Sequence, residues 1–356
     1  MSVVLVFSAL LSEFNMKISI IIPCHNEEKS IRACVESCLD QTRPPDQVLV
    51  VNDGSTDNSA AILAEFGSRI DVLTIPEATG NKSYAQERGL CFVTGDIFVA
   101  TDGDTILDPY FVQYIEEDFL KDPDVVAVCG YVKSLKHNWL TACREIDYAI
   151  GQDLFKLAQS YIDTVFVIPG CAGAFRRDIF LQYVHFDHDT LTEDMDFTYK
   201  LHEEYFVIAY DRRAVAYTQD PATLSQYINQ MRRWYCGGWQ NLRKHYRILG
   251  KPNSALQLSM TYLEGLMFSF LLFMAPFLSF RSFLLFIVPY ILLALAMGVY
   301  GAVSRKRLDL FLFSPLSVVL LCVNSAIFLE QFWKEIILRK TNLEWFHPAR
   351  RVINSA

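Results

Sequence analysis

Along the first third of the chain, short β-branched apolar runs alternate with segments whose apolar residues recur at helical spacing. Ile18 to Ile22, bounded by Pro23, predicts a strand, and Ile31, Cys34, Val35, Cys38 and Leu39 predict the buried face of a helix. The alternation continues with a strand over Gln47 to Val51, a helix over Asp57 to Phe66 stopped by Gly67, and a strand over Val72 to Ile75. A helix over Lys82 to Val93 stopped by Gly95 and a strand over Asp96 to Ala100 complete it. Short connections between such elements imply right-handed βαβ units and a parallel sheet covered on both faces. From Thr105 to Arg247 the pattern weakens. Strands near Val125 to Val132 and Thr164 to Ile168, with helices near Trp139 to Ala158 and Pro221 to His245, read as a second lobe continuing the same sheet.

Three apolar runs follow, Ala255 to Phe280, Ser282 to Val303 and Leu310 to Phe332. Each is near or above the ~20 residues that span a hydrocarbon core, and nothing comparable precedes Lys251. The chain therefore divides into a short apolar segment over 1–16, a first lobe over 17–104, a second over 105–250 and a membrane region over 251–356. Val3 to Leu11 is too short to cross a bilayer and lacks the basic flank and small-residue cleavage site of a signal peptide. A short interfacial segment and a true start at Met16 both fit it.

Composition agrees with a chain partly in lipid: 52% of the residues are hydrophobic and mean hydropathy is +0.20. A net charge of −8 and a pI near 5.4 argue against a nucleic-acid binder. Arg232, Arg233, Arg243, Lys244, Arg247 and Lys251 crowd before the first apolar run, where they suit anionic headgroups or, for the last four, the solvated face of one helix. Nine scattered cysteines without a CxxC pair read as reduced core thiols, not as a disulfide framework or a zinc site.

In doubly wound sheets ligands bind beyond the carboxyl ends of the strands. Pro23 to Glu28, Asn52 to Asp57 and Thr101 to Asp104 each follow a predicted strand. Asp53, with Ser55 and Thr56, puts a carboxylate where it can bind a base or ribose, although the same residues suit a turn and a helix cap. Asp102 and Asp104, two apart on extended chain, can share one oxygen-loving cation, magnesium or manganese (Mg2+ or Mn2+), although Asp-Gly is also a common turn dipeptide. Glu193 and Asp194 open a segment whose Phe197, Leu201 and Tyr205 recur every four residues. This places an ionised carboxylate, suited to a base, at a helix start, where acidic residues are also ordinary. Gln230, Arg233 and Trp234 lie at i, i+3 and i+4, so one helix face presents an amide, a guanidinium that can clamp phosphate and an indole that can stack on a sugar. Tyr227 extends that face one turn earlier. An amphipathic membrane-surface helix is the other reading, and Gly237 and Gly238 weigh against it because they allow a ligand to approach closely.

Taken in order, Pro23 to Glu28, Asn52 to Ser55, Lys82, Asp102 to Asp104, Thr192 to Asp194 and Gln230 to Trp234 resemble the motifs of the family-two inverting glycosyltransferases. The QxxRW match is similar to the processive branch of cellulose, chitin, hyaluronan and poly-N-acetylglucosamine synthases. The resemblance covers about Lys17 to Arg247. It implies an α/β GT-A fold with a central, mostly parallel sheet followed by C-terminal transmembrane helices, and a UDP- or GDP-sugar donor. Carried over, Pro23, Glu27, Asp53, Ser55 and Lys82 would hold the nucleotide, Asp102 would meet its diphosphate and Asp104 would ligate the metal. Asp194, beside Glu193, would be the general base. Gln230, Arg233 and Trp234 would bracket the diphosphate and the growing chain, and Gly170, Cys171, Ala172 and Gly173 would line the acceptor site. Many polymer synthases carry amino-terminal transmembrane helices that are not seen here, so an export partner or a homo-oligomer is expected to supply a missing channel wall.

The expected reaction is a direct displacement giving β-linkages from an α-linked donor, by a multi-pass cell-membrane enzyme whose catalytic domain is cytoplasmic. Transfer of one sugar to a polyprenyl phosphate or another membrane lipid is the alternative. A non-catalytic nucleotide-sugar-binding subunit is a third reading, whose expected sign would be loss of the metal or base carboxylates. Three spans would put Lys334, Arg339, Lys340, Arg350 and Arg351 outside, against the positive-inside tendency. Either the first run, with Glu264 and Pro276, lies partly in the interface, or the tail is an exception.

Overall fold

The computed structural model describes residues 16–341, 343 and 350–353. The segment Val3 to Leu11 lies outside the described residues. Eight strands form one sheet: β1 (Ile18–Cys24), β2 (Gln47–Asp53), β3 (Asp71–Ile75), β4 (Ile97–Ala100), β5 (Ile106–Leu107), β6 (Val125–Ser134), β7 (Gly173–Arg176) and β8 (Val207–Thr218). Their order across the sheet is β3-β2-β1-β4-β7-β6-β8-β5. The first four strands are mutually parallel, as the alternating pattern predicts. β7 then runs antiparallel between β4 and β6, while β6 and β8 are parallel.

The central strands are apolar on both faces because each face has its own cover. Ile18, Ile20 and Ile22 of β1 join Val48, Val50 and Val99 in a core with Cys34, Val35 and Cys38 of helix α1 (Ile31–Leu39). Ile21, Leu49, Val51 and Phe98 face the other way, toward Ala85 and Leu90 of α3 (Lys82–Leu90) and the aromatic set Phe175, Phe180, Phe186 and Phe197. Alternation along each strand is thus divided between two cores. Helix α2 (Ser59–Ala64) packs on α1, and α4 (Phe111–Lys121) on β8.

The predicted strand at Thr164 to Ile168 is not one. Its backbone amides are satisfied elsewhere, Phe166 N by Gln159 Oε1 at 3.1 Å and Ile168 N by Thr198 Oγ1 at 2.9 Å, so it needs no ladder. The helix expected from Trp139 is α5 (Trp139–Ile150), which continues through a π-type turn into α6 (Leu157–Tyr161). Helices α7 (Glu193–Glu203) and α8 (Leu224–Lys244) carry the later motifs. All nine cysteines are free thiols, and seven are buried.

Among the described residues, three helices are long and apolar enough to cross a membrane: α9 (Pro252–Leu278), α10 (Phe280–Arg305) and α11 (Leu308–Ile337). They do not leave the domain alike. The start of α9 is tied down by Tyr262, whose hydroxyl donates to Gly238 O at 3.0 Å, and α10 returns to the domain at Arg305, which pairs with Glu145 at 2.8 Å. The two helices join at Ser279, beside the exposed Phe277, Leu278 and Phe280, so they form a hairpin with both ends on the domain. Helix α11 instead lies along α8, through Tyr227 to Asn324 at 2.9 Å, Arg232 to Glu330 at 3.1 Å and Cys236 to Glu335 at 3.0 Å. Several of the basic residues before the apolar runs are likewise engaged by the protein itself. Lys244 pairs with Asp187, Asp189 and Asp196, Arg243 donates to Glu335 O, and Lys251 donates to the carbonyls of His202 and Glu203.

Candidate active site

The carboxyl ends of β1, β2 and β4 open into a cleft of about 510 Å3. Pro23, Glu27, Asp53, Lys82, Asp102, Asp104, Gly170, Cys171, Glu193, Asp194, Gln230, Arg233 and Trp234 all line it, although they come from loops and helices far apart in the chain. Ser55, Ala172 and Gly173 do not. Ser55 Oγ accepts from Asn26 N at 3.1 Å and braces the loop after β1. Ala172 is fully buried and accepts from Gly130 N, and Gly173 pairs with Ala100 and Cys129 inside the sheet. The small residues at 172 and 173 are therefore there for strand packing.

Asp53 is buried, with Oδ1 accepting from Thr79 N at 2.9 Å and Oδ2 from Thr79 Oγ1 at 2.7 Å. Thr79 thus fixes the carboxylate's rotamer at the mouth of the cleft, and no sequence motif pointed to it. The next loop ends in Asn81, which caps α3 by accepting from Ser83 N and so delivers Lys82 into the cleft.

Asp102 and Asp104 lie on a turn, closed by Thr105 N donating to Asp102 O at 3.0 Å, and not on extended chain. Both side chains reach the cleft but meet different cations. Asp102 Oδ1 is 2.5 Å from Lys82 Nζ, and Asp104 Oδ2 is 2.5 Å from Arg350 Nη1. Burial pushes the Asp102 carboxyl up, but Lys82, with Arg350 and Arg233, more than reverses this and holds it below the usual carboxylate range. For Asp104, burial prevails over Arg350 and, with repulsion from Asp102, leaves the carboxyl raised.

Lys82 Nζ also lies 3.1 Å from Glu193 Oε1, which occupies that carboxylate. Asp194, next along α7, accepts from Met195 N at 2.9 Å and from Gly170 N at 3.3 Å, and no cation pairs with it at ion-pair distance among the described residues. Burial, reinforced by Glu193, pushes its carboxyl up to about 6 against the pull of Lys82. Of the two carboxylates, Asp194 is the one poised to accept a proton near neutral pH. A Cβ at Gly170 would lie 2.9 Å from Lys82 Nζ, so glycine is what lets the Cys171 loop approach this cluster.

On α8, Gln230 Oε1 is out of solvent with no hydrogen-bond partner among the described residues, an orphaned acceptor aimed at the cleft. Arg233 is half-buried there, with Glu193, Asp194 and Asp102 the nearest charges acting on it. Trp234 has the Arg144 guanidinium 5.0 Å from its ring. The glycines beside it face protein atoms: a Cβ at Gly237 would meet Thr192 Oγ1 at 2.4 Å, and one at Gly238, which also lines the cleft, would meet the Tyr262 hydroxyl at 2.9 Å.

Oxygen donors with charge to spare, Asp104 and Glu27, already surround one cation, the Arg350 guanidinium, so this corner of the cleft suits a hard divalent ion by charge and ligand type. The other acidic group, Asp187, Asp189 and Asp196, does not: Lys200, Lys244 and His245 take its oxygens.

Residues 19–183 match the family model described as glycosyl transferase family 2. The chain carries a glycosyl transferase family 2 domain. Glu193, Asp194 and the Gln230 to Trp234 motif lie beyond the matched stretch. The poly-beta-1,6-N-acetyl-D-glucosamine synthase of Staphylococcus epidermidis is 29% identical over 231 residues, 64% of this chain and 56% of the relative. The chain thus spans little more than half the length of the curated relatives it matches. The mannosyltransferase PcManGT from Pyrobaculum calidifontis, solved in complex with GDP-Man and Mn2+, superposes with a TM-score of 0.63 at 18% identity, over 90% of this chain and 88% of that one. Residues 1–349 of S. aureus TarS in complex with UDP-GlcNAc give 0.50 at 17% identity, over 86% and 92%. The family 2 domain therefore sits in a GT-A fold, with the three apolar helices following it.

Proposed function

We propose that this protein is a membrane-bound inverting glycosyltransferase that moves a hexose or N-acetylhexosamine from a nucleotide diphosphate sugar to a growing polysaccharide, forming β-linkages. One observation carries the reading: Lys82, Asp102, Asp104, Asp194 and Arg233 converge in one cleft whose far wall is built from Thr261, Tyr262 and Phe328 of the apolar helices. Charge for a diphosphate, a base for a hydroxyl and a wall contributed by the apolar helices thus share one chamber. The poly-beta-1,6-N-acetyl-D-glucosamine synthases support a polymer as product, and the GDP-Man and UDP-GlcNAc held by the structural neighbours support a GDP- or UDP-sugar as donor.

Asp194 takes the proton of the acceptor hydroxyl, whose oxygen attacks the anomeric carbon on the face opposite the diphosphate. The anomeric C–O bond breaks, and its electron pair leaves on the nucleoside diphosphate, inverting configuration. Lys82 and Arg233 supply positive charge on the leaving-group side, and Glu193 and Asp102 hold Lys82 in place. Asp104, with Glu27 and Asp102 nearby, would hold Mg2+ or Mn2+, which when bound neutralises charge on the departing diphosphate. Asp53, Pro23 and the Thr79 loop form the nucleotide end. Membranes containing the protein, incubated with labelled nucleotide sugars and sized for product, test the reading. Asp194→Asn should lower transfer by about 10²–10⁴-fold while sparing donor binding; full activity in that variant would refute the role of Asp194.

The same membrane-side wall favours one other acceptor, a polyprenyl phosphate or related lipid, which would present its head at Tyr262 and Phe328. A single-sugar product in the sizing experiment would select it. The catalytic domain is assigned to the cytoplasmic face of the cell membrane, where nucleotide sugars are made. Docking of Arg350 in the cleft supports a tail on that same face, which an even number of crossings allows. The α9–α10 hairpin supplies two, and α11 stays with the domain. This reconciles the basic tail with the positive-inside tendency.

A further inference from the structure

Arg350 belongs to no motif, yet it is among the most heavily engaged cations of the cleft. Its Nη1 lies 2.5 Å from Asp104 Oδ2, its Nε 2.8 and 3.0 Å from the two oxygens of Glu27, and its Nη2 2.8 Å from Glu27 Oε1. The backbone around it is seated by the catalytic lobes. Arg351 N donates to Gln219 Oε1 at 3.0 Å while Gln219 Nε2 donates back to Arg351 O at 2.9 Å, Arg351 Nη2 donates to Asp220 O at 3.0 Å, and Ile353 N donates to Lys29 O at 3.2 Å. Four hydrogen bonds tying Arg351 and Ile353 to Gln219, Asp220 and Lys29 fix a guanidinium between two buried carboxylates.

A fork of N–H donors and a divalent ion make the same demand on Asp104 and Glu27, and these oxygens cannot serve both at full charge. Two cations packed into that corner would also repel each other strongly at low dielectric. We propose that Arg350 is a tethered cation that competes with the divalent metal for Asp104 and Glu27, so that docking of the tail and loading of the metal exclude one another. The inference rests on the reading of Asp104 as the metal seat. By linkage, the tail weakens metal binding by the same factor by which metal loosens the tail.

Two readouts on the full-length, detergent-solubilised protein without donor test it: binding of Mn2+ followed by the EPR signal of the free ion, and hydrogen exchange of the peptide covering residues 350–353. Arg350→Ala and Arg350→Gln should each bind Mn2+ about tenfold more tightly than the unaltered protein, within the usual range of coupled binding. Mn2+ should speed exchange at the Arg351 and Ile353 amides of the unaltered protein. Asp104→Asn should lose most Mn2+ binding. If Asp104→Asn loses Mn2+ but both Arg350 variants bind it no better than the unaltered protein, and exchange does not respond to Mn2+, the competition is wrong and the metal seat stands. If Asp104→Asn binds Mn2+ normally, the metal seat itself is wrong and the competition falls with it. Should the Arg350 variants instead lose affinity for donor with no gain for Mn2+, Arg350 is a donor ligand and the proposal is overturned.

Discussion

Gly237 faces Thr192 so closely that a Cβ on the glycine would lie 2.4 Å from Thr192 Oγ1 and 2.6 Å from Cγ2. Thr192 immediately precedes Glu193 and Asp194, and Asn241 grips it by donating to its carbonyl at 3.1 Å and its hydroxyl at 2.9 Å. Helix α8 thereby sets the position of the candidate base from behind. Gly237→Ala should cost about 1–3 kcal/mol through overpacking and lower kcat more than it raises donor KM. Pairing it with Thr192→Ala removes the obstructing atoms, so thermal melts of the double variant should recover most of the loss. Strict additivity of the two changes would contradict this contact.

The raised carboxyl of Asp194 sets a pH dependence. A base must be deprotonated to act, and burial with Glu193 beside it keeps the proton on up to about 6. Activity should therefore rise with pH through that value, well above the ordinary aspartate range. A profile of kcat/KM against pH in the unaltered protein checks this. An acid limb near 4 would place the base elsewhere.

Asp196 is fully buried one turn along α7, and its oxygens pair with Lys200 at 2.8 Å, Lys244 at 2.7 Å and His245 at 2.8 Å. Burial pushes its carboxyl up, but His245 and the two lysines outweigh this and hold it well below the usual range. A depressed folded-state value means the stabilisation is complete above the unfolded value of 3.8 and is lost as pH falls below it. Asp196→Asn should cost about 3–5 kcal/mol at neutral pH, by leaving buried cations unpaired. Thermal melts should find the gap between variant and unaltered protein narrowing below pH 4.

A hairpin of α9 and α10 with α11 lying on α8 makes a prediction about sidedness. A cysteine placed at Thr341, beyond α11, should label from the same side of sealed vesicles as one placed at Glu65 on the catalytic domain. One at Ser279, the hairpin tip, should not react like those two. Labelling of Thr341→Cys only from the side opposite Glu65→Cys would restore three full crossings.

The parallel half of the sheet was legible because its strands are β-branched runs with helices of clean period between them, as at Ile18–Cys24 and Ile31–Leu39. In the other half only β6 (Val125–Ser134) was, close to the expected Val125 to Val132. β7 is four residues long and opens on Gly173, and β8 carries Asp211, Arg212 and Arg213 in its middle, where its register with β6 is broken. Neither has the alternation that marks a strand. The cleft itself was legible wherever a motif follows a strand end, as for Asp53 and Asp102. It was illegible wherever the contact is long-range and unpatterned. Thr79 earns its place only through the fold of the loop after β3, and Arg350 sits in a basic stretch that reads as tail. The glycine at 237 misled because a close approach can be made by a ligand or by another part of the protein, and only coordinates tell which.

The far wall of the cleft, made by Tyr262 and Phe328, belongs to helices long and apolar enough to cross a membrane. On the membrane-bound reading, the shape of the chamber therefore depends on how those helices sit in the bilayer. Extraction into thin micelles that let α9 drift from α11 would open the chamber without touching a single acidic or basic group, and catalysis would fade while nucleotide affinity persisted. On that reading, lipid thickness becomes a structural parameter of turnover.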